Sequence, residues 1–572
     1  MRGLPIDKPT NPSKRKLGTI AIAIAAIGSM ALIMDLLLTG YLKMYFTNDK
    51  PEGVCPIWDI QRPKSFIENN GSVVREILFD EKFRNGSAAK LSGMVQIDTQ
   101  MRDNPPTVED DPEYWSRFKK LHLYLETTFP EVYETADVVK INTYGLVFTW
   151  KGSDEKLKPL MLAAHQDVVP VQKDTLSDWT YPPFEGHYDG EYVWGRGSSD
   201  CKNVLSAIFE ALALLKKNKF KPTRTIVLAF GMDEEVSGRL GAGHIAPYLE
   251  KTFGKNSMYA IVDEGAGMSI EPSTQRIFAL PGTREKGYLD ISTELITPGG
   301  HSSIPPEHTS IGIMAELEKL IEGDPYKAVF TPENPTFEFL QCLAVHGGDK
   351  LSWRLRKSIL RSGYDKIANS YVIKYLTSNR VTKYLVQTSQ AMDIIRGGEK
   401  NNALPESVQL LTNHRVAIES TIQEVTDRFV SRVHAVAKKF DLGLKVNGET
   451  VLESTSNGHF SVKDAGHSLE VAPKTPIGDK VWKELAGATR HVYEDAVFTN
   501  LTEPIIVAPA IMTGNTDTRY YWNLTHNIFR YTPVLAGFTD SRIHSVDERM
   551  GIDNHLRLIA FFYEYVQIVD EA

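Results

Sequence analysis

Met161-Leu-Ala-Ala-His165-Gln-Asp167-Val-Val-Pro170 decides how the rest of the chain is read. An apolar run ends in a histidine, an aspartate follows two residues later, and a proline closes the stretch. Such a run reads as a buried strand that delivers an imidazole to its carboxyl end. A carboxylate beside that ring can hold it by a hydrogen bond, fixing its tautomer and raising its basicity toward a metal. Taken alone, a histidine at a strand end is more often an ordinary core or edge residue. Its meaning depends on whether carboxylates and a second histidine follow at other strand ends.

They do follow. Asp200 closes Trp194-Gly-Arg-Gly-Ser-Ser-Asp200, a glycine-rich turn that feeds a helix through Cys201-Lys-Asn203. Glu234 and Glu235 come just after the β-branched run Thr225–Phe230, and Asp263 and Glu264 come after Ala260-Ile-Val262. His544 sits in Gly537-Phe-Thr-Asp-Ser-Arg-Ile-His544-Ser-Val-Asp-Glu548. Each has a plainer reading by itself: Asp200 as a helix N-cap, Asp233 to Glu235 as a solvated acidic turn, His544 as a surface histidine. Together they place N and O donors at the carboxyl ends of strands, where sites form in an open α/β sheet.

Helices are expected over Glu113–Phe129, Asn203–Lys216 and Gly241–Leu249, and strands within Val138–Trp150, Pro159–Ala164, Arg224–Phe230 and Ala260–Val262. Alternating strands and helices predict a mostly parallel α/β catalytic domain. Two histidines and several carboxylates, without a cysteine cluster, suit Zn²⁺. Two ions would need a ligand that touches both, and Asp200 at its tight turn is the natural bridge. The Glu234–Glu235 pair offers one base and one ligand.

This ordered set resembles the M20 family of di-zinc metallopeptidases and aminoacylases, most closely its membrane-anchored carboxypeptidase S branch. The likeness runs from about Pro112 to the C-terminus. It implies two Zn²⁺ per subunit, one held by His165, Asp200 and Asp263 and the other by Asp200, Glu235 and His544. It makes Glu234 the general base and gives Asp167 the task of orienting His165, with Glu264 not needed as a ligand and the Asp200–Cys201 bond cis. His301, in Pro298-Gly-Gly-His301-Ser-Ser-Ile-Pro305, would steady the oxyanion. Arg415, in Asn413-His-Arg415, would grip a substrate carboxylate bidentately, helped by Asn402 in Asn402-Ala-Leu-Pro405 and by the backbone N–H of Gly514. Around Gly514 the chain reads Met512-Thr-Gly-Asn-Thr-Asp-Thr-Arg519 and departs from the family's Gly-Gly-Thr-Asp. The activity implied is release of the C-terminal residue from small peptides. An N-acyl-amino-acid hydrolase or synthase would use the same site, because each substrate is an amide beside a carboxylate. A receptor-like ectodomain should have lost ligands or base, and none is missing here.

After Gly282 the pattern changes. Strands are expected over Gly287–Ile296, Ser407–Ala417 and Leu444–Val451, with helices over Ile311–Glu322 and Thr421–Phe440. This suits an inserted α+β lid or dimerisation domain at residues 284–455, between catalytic parts at 112–283 and 456–572. A homodimer through the lid is the partner the resemblance implies. Residues 324–396 form a long insertion with helical patches, to which the sequence assigns no role.

The 572 residues carry a net charge of -8 with both signs mixed throughout, which gives no basic surface for nucleic acid. Residues 1–16 read as a cytosolic tail. Leu17–Met34 is uncharged, and after Asp35 the apolar character resumes to Leu42, long enough for a transmembrane signal-anchor over 17–42. Lys14-Arg15-Lys16 keeps the N-terminus cytosolic and puts the bulk in a lumen; a cleaved signal peptide is the rival reading. Asn70, Asn85, Asn500 and Asn523 each open an N-glycosylation acceptor pattern. A vacuole or lysosome-like compartment fits these features. Cys55 and Cys342 could pair there, although spacing does not establish it. Lys8 is a cytosolic lysine open to ubiquitination or simply a tail residue. Residues 43–111 read as a lumenal stem and irregular lead-in.

Overall fold

The computed structural model describes residues 51–272, 274–466, 468–535 and 541–572, together with 26–30, 34, 42 and 45–48. Lys8 and nearly all of the expected anchor lie outside the described residues, as does Asp540. Among the described residues no helix is long and apolar enough to cross a membrane.

The main sheet is mixed, with parallel strands at its centre and antiparallel pairs beside them. Its order is Asp137–Ile141, Gly145–Trp150, Ile226–Gly231, Leu160–His165, Ala260–Ile270, Ile528–Leu535, Gly282–Glu285, Ala510–Met512. The central four strands, from Ile226–Gly231 to Ile528–Leu535, are parallel. The first two form an antiparallel hairpin at one edge. Continuous apolar runs such as Leu160-Met-Leu-Ala-Ala suit the centre because both faces are covered there. Every residue of the Leu160–His165 and Ile226–Gly231 strands is buried. Helix Lys202–Lys217 covers one face beside the long C-terminal helix Ile552–Asp570, and Ala242–Phe253 covers the other.

The segment before Pro112 is not an irregular stem. Helices span Ser72–Phe79 and Glu81–Val95, with Asp80 capping the second through its bond from the Phe83 N–H. Val74, Ile77, Leu91 and Met94 are buried in the main core. Burial of these side chains, each worth about 1.5–3 kcal/mol, makes this stretch part of the catalytic body. Of the four glycosylation candidates, Asn70, Asn85, Asn500 and Asn523 are all exposed. Asn85 lies within a helix, and its acceptor Ser87 is buried against Glu210.

A second, six-stranded sheet runs Ala391–Gly397, Ser407–Val416, Gly287–Ile296, His459–Asp464, Gly443–Val446, Glu449–Leu452. Helices Ser310–Gly323 and Ile422–Lys439 pack on it to form a separate core. The strict alternation of burial along Gly287–Ile296 is that of a sheet with one covered face. The strand His459–Asp464 pairs with Gly287–Ile296, so this layer continues past residue 455, where the sequence reading ended it.

The insertion holds helices Pro335–His346, Trp353–Arg361 and Lys366–Thr377 with their own apolar core, which also takes in Phe278 and Ile506 from the main domain. Cys55 and Cys342 are joined in a disulfide that ties the N-terminal stretch to this insertion.

Candidate active site

Of the sequence-predicted ligands, His165, Asp200, Glu235 and His544 meet, each from a different segment. His165 ends its strand and is buried. Its Nε2 lies 3.1 Å from Asp200 Oδ1 and 3.3 Å from Glu264 Oε1. His544 Nε2 lies 3.1 Å from Asp200 Oδ2 and 3.2 Å from Glu235 Oε2. The two oxygens of Asp200 therefore face two different imidazoles.

The sequence reading ends the strand that carries Asp263 too early. The strand does not end at Val262 but continues to Ile270. Its pairing with the Ile528–Leu535 strand passes from Asp263↔Arg530 to Ala266↔Tyr531, so Glu264 and Gly265 bulge out of the ladder. Gly265 is needed there because a Cβ would meet the Arg530 backbone at 2.4 Å. The bulge aims Glu264 at His165. One oxygen of Asp263 is occupied by the Glu264 N–H at 2.9 Å, and the other is buried without a hydrogen-bond partner. Glu264, set aside in the sequence reading, faces His165 beside Asp263.

Asp167 lies against the His165 ring, as expected, and reaches further. The His165 ring nitrogen Nδ1 lies 3.0 Å from the Asp167 backbone carbonyl and 3.4 Å from its carboxylate. That carboxylate also accepts the N–H groups of Glu234 and Glu235, both at 3.1 Å. It thus orders the short turn Glu234–Val236 and both acidic side chains on it. Behind the turn, Asp517 lies so close to Gly231 and Gly238 that a Cβ at either would come within 2.1 Å of its carboxylate.

Asp200 is presented by a loop that Glu548 organises. Glu548 Oε1 accepts from the N–H groups of Gly197, Ser199 and Asp200 at 3.0, 3.0 and 3.2 Å. Its Oε2 pairs with buried Arg196 at 2.5 Å. The segment that carries His544 therefore also frames Asp200. Nothing in the sequence marks Glu548 for this role. The Asp200–Cys201 peptide is cis. Cys201 lies within ligand range of His165 and Glu264, but burial pushes its thiol well above the usual value. Its sulfur accepts the His165 backbone N–H at 3.3 Å, a structural contact.

The donor set fits divalent cations. Burial first, and then neighbouring carboxylates, push Glu235 and Asp263 up to about 7 and Glu234 well above its usual range. Hydrogen bonds to Asp200 and Glu235 raise His544 to about 10. So many buried acids crowd two histidines that only added positive charge would let all ionise together. The buried Oε1 of Glu235 has no hydrogen-bond partner.

A cleft of about 1690 Å³ opens over this centre and reaches the second sheet. Arg415 and Gly514 line it with Asp200, Glu234, Glu235, Glu264 and His544. Arg415 donates to Asn515 Oδ1 at 3.0 Å and stacks on Tyr288 at 4.6 Å. Asn515 in turn donates to the Lys286 carbonyl at 2.7 Å. Neither Asn515 nor Tyr288 was singled out by the sequence reading. His301 and Asn402 do not line the cleft. They meet in an exposed ribbon, where Gly300–His301 pairs with Ala403–Leu404 and the Ser302 N–H donates to the Asn402 carbonyl at 3.2 Å.

The model of peptidase family M20/M25/M40 matches residues 161–568. The chain belongs to the M20 peptidase family. It is 43% identical over 502 residues to Carboxypeptidase S of Saccharomyces cerevisiae, covering 87% of this chain and 86% of that protein. It is 29% identical over 510 residues to mouse N-fatty-acyl-amino acid synthase/hydrolase PM20D1, covering 88% and 92%. Among solved structures, an M20 family metallo-carboxypeptidase, Sso-CP2 from Sulfolobus solfataricus, shares the fold with a TM-score of 0.56 at 17% identity, covering 85% of this chain and 99% of that one.

Proposed function

We propose that this M20 enzyme is a two-zinc carboxypeptidase that releases the C-terminal residue of small peptides. The observation that carries the reading is Arg415, a guanidinium with no carboxylate salt bridge among the described residues, set in the same cleft as Glu234 and the ligand cluster. His165, Asp200 and Glu264 would hold one ion, and Asp200, Glu235 and His544 the other. Bound zinc would supply Lewis-acid polarisation and a water acidified toward neutrality. Glu234, freed of ligand duty, takes the proton of the attacking water and delivers it to the leaving amine. Asp167 keeps Glu234 in place through its backbone N–H. Arg415, steadied by Asn515 and Tyr288, grips the substrate's free carboxylate and fixes which amide lies over Glu234.

His301 and Asn402 would complete the site only by movement of the second sheet over the cleft, or from the lid of a second copy. The proposal includes the homodimer, the type II anchor over 17–42, glycans at Asn70, Asn500 and Asn523 and a vacuolar or lysosome-like location. An N-acyl-amino-acid hydrolase is the second reading, favoured by the apolar Leu385, Leu411 and Ile511 on the cleft wall. The test is Glu234→Gln in the full chain. It should keep zinc by elemental analysis while losing about 10²–10⁴-fold in kcat. Near-normal kcat would remove Glu234 from the base role. Assay of a blocked dipeptide series beside fatty-acyl amino acids separates the two substrate readings.

A further inference from the structure

The insertion carries an apolar face that its own core does not use. On helix Lys366–Thr377, Ala368, Val372 and Leu376 point inward and are buried. One position before each of them, Ile367, Tyr371 and Tyr375 form a second row at four-residue spacing, and these are 72%, 43% and 42% exposed. Tyr364, at the turn into the helix, is 77% exposed. A surface helix ordinarily turns polar residues outward. Here two apolar rows about 100° apart share one helix, with exposed Lys366, Lys374 and Arg380 around the outer one.

Where the N-terminal chain joins the body indicates what covers this row. The Lys357 ammonium, on helix Trp353–Arg361, donates to the Thr47 carbonyl. His346 bonds the Cys55 carbonyl at 2.9 Å, and Cys55 is disulfide-bonded to Cys342. The N-terminal chain is thus fastened three times to the same insertion, and the helix it touches packs on Lys366–Thr377. The apolar run ends at Leu42. Five residues of chain span at most about 18 Å, so Thr47 cannot stand farther than that from the end of the run. Tyrosine with flanking lysine and arginine is the composition that settles at headgroup level, ring inward and charge in water.

We propose that the row Tyr364, Ile367, Tyr371 and Tyr375 docks on the surface of the bilayer that holds the N-terminal anchor. The inference rests on the anchor reading. It gives the insertion a role, which is to hold the body against the membrane instead of leaving it on a free stalk. Because Arg380 and Tyr384 of the same insertion line the catalytic cleft, docking also sets the height of the cleft above the lipid.

The test uses the full chain in phosphatidylcholine vesicles, with nitroxide labels at Tyr371→Cys, Tyr375→Cys and, as a solvent control, Leu123→Cys. Background labelling is low because Cys201 is buried and the other two cysteines are bonded. Collision with oxygen and with a water-soluble nickel chelate is measured for each label. The oxygen-to-nickel ratio at 371 and 375 should exceed that at 123 severalfold, with peptide hydrolysis retained. Equal ratios in protein that resists alkaline carbonate extraction would overturn the docking while leaving the anchor. Release by carbonate would overturn both. Strong dipolar broadening between labels would assign the row to a second copy and overturn the membrane assignment.

Discussion

Replacing Glu548 with alanine should cost more than any other single change outside the ligand set, although Glu548 touches no substrate. Its carboxylate satisfies three backbone N–H groups and one guanidinium, all buried or partly buried. Removing one member of a buried ion pair costs about 3–5 kcal/mol, because the other charge is left without compensation. The three orphaned N–H groups would add about 1–3 kcal/mol each if they stayed dry. Water entering the space left by the side chain offsets part of that, so about 4–6 kcal/mol is expected. This is a large share of the roughly 5–15 kcal/mol that holds a folded protein together. The Asp200 loop should loosen with it, so zinc should be lost to a weaker chelator than in the parent. Glu548→Gln keeps an acceptor for the N–H groups and loses only the charge, and about 2 kcal/mol is expected. Urea unfolding midpoints and zinc retention against graded chelators measure both effects. Pairing Glu548→Leu with Arg196→Met removes the orphaned charge and should recover part of the loss. A Glu548→Ala variant within 0.5 kcal/mol of the parent by urea titration, with zinc retained, would refute the idea that this carboxylate frames the site.

Glu264→Ala should lower zinc content by about one ion per chain, whereas Asp263→Asn should leave both ions bound; the reverse pattern by elemental analysis would restore Asp263 as the ligand. Arg415→Lys loses the planar fork, so KM for peptides with a free carboxylate should rise about 10–100-fold, from the loss of ~1.5–3 kcal/mol, while hydrolysis of C-terminally amidated analogues, already slow, should not change. Burial lowers His414 to about 4, below the roughly 6.5 of an unfolded chain. The folded state therefore binds fewer protons between these values, and this residue's stabilisation, at most ~3 kcal/mol, is lost as pH falls from 6.5 toward 4. His414→Leu should flatten that acid limb in urea titrations, and an unchanged slope would assign it elsewhere.

The ligands were legible in the sequence because strand ends are legible. Leu160–His165 and Ile226–Gly231 are short apolar runs that stop abruptly, and the residue after such a stop is placed at the sheet's carboxyl edge. Asp263 and Glu264 were harder, since alternation puts neighbours on opposite sides and a bulge decides which one turns inward. That bulge depends on the Ile528–Leu535 strand, more than 250 residues away, and no local pattern carries it. Glu548 was invisible for a similar reason: its partners are backbone N–H groups of a distant loop. The helices between Lys64 and Val95 were missed because β-branched Val73, Val74 and Ile77 in one and Gly86 and Gly93 in the other lower local helix propensity. Ser72–Phe79 and Glu81–Val95 are helical largely through docking on the core, where tertiary burial outweighs local propensity. His301 and Asn402 show the limit of analogy, which assigned them a role without saying where the ribbon that carries them rests.

The strand Ile528–Leu535 lies at the middle of the main sheet, between Ala260–Ile270 and Gly282–Glu285, yet is among the last strands to be made. While the chain is still on the ribosome, the Ile261–Asp263 edge that this strand covers stands unpaired through the synthesis of the whole second sheet and the insertion. Unpaired edges of growing chains are where misassembly starts. The catalytic body therefore closes only after translation is nearly complete. A premature stop anywhere before residue 528 should yield a chain that cannot bury its own centre, and a helper that shields strand edges during synthesis should raise the yield of this protein more than its stability alone would suggest.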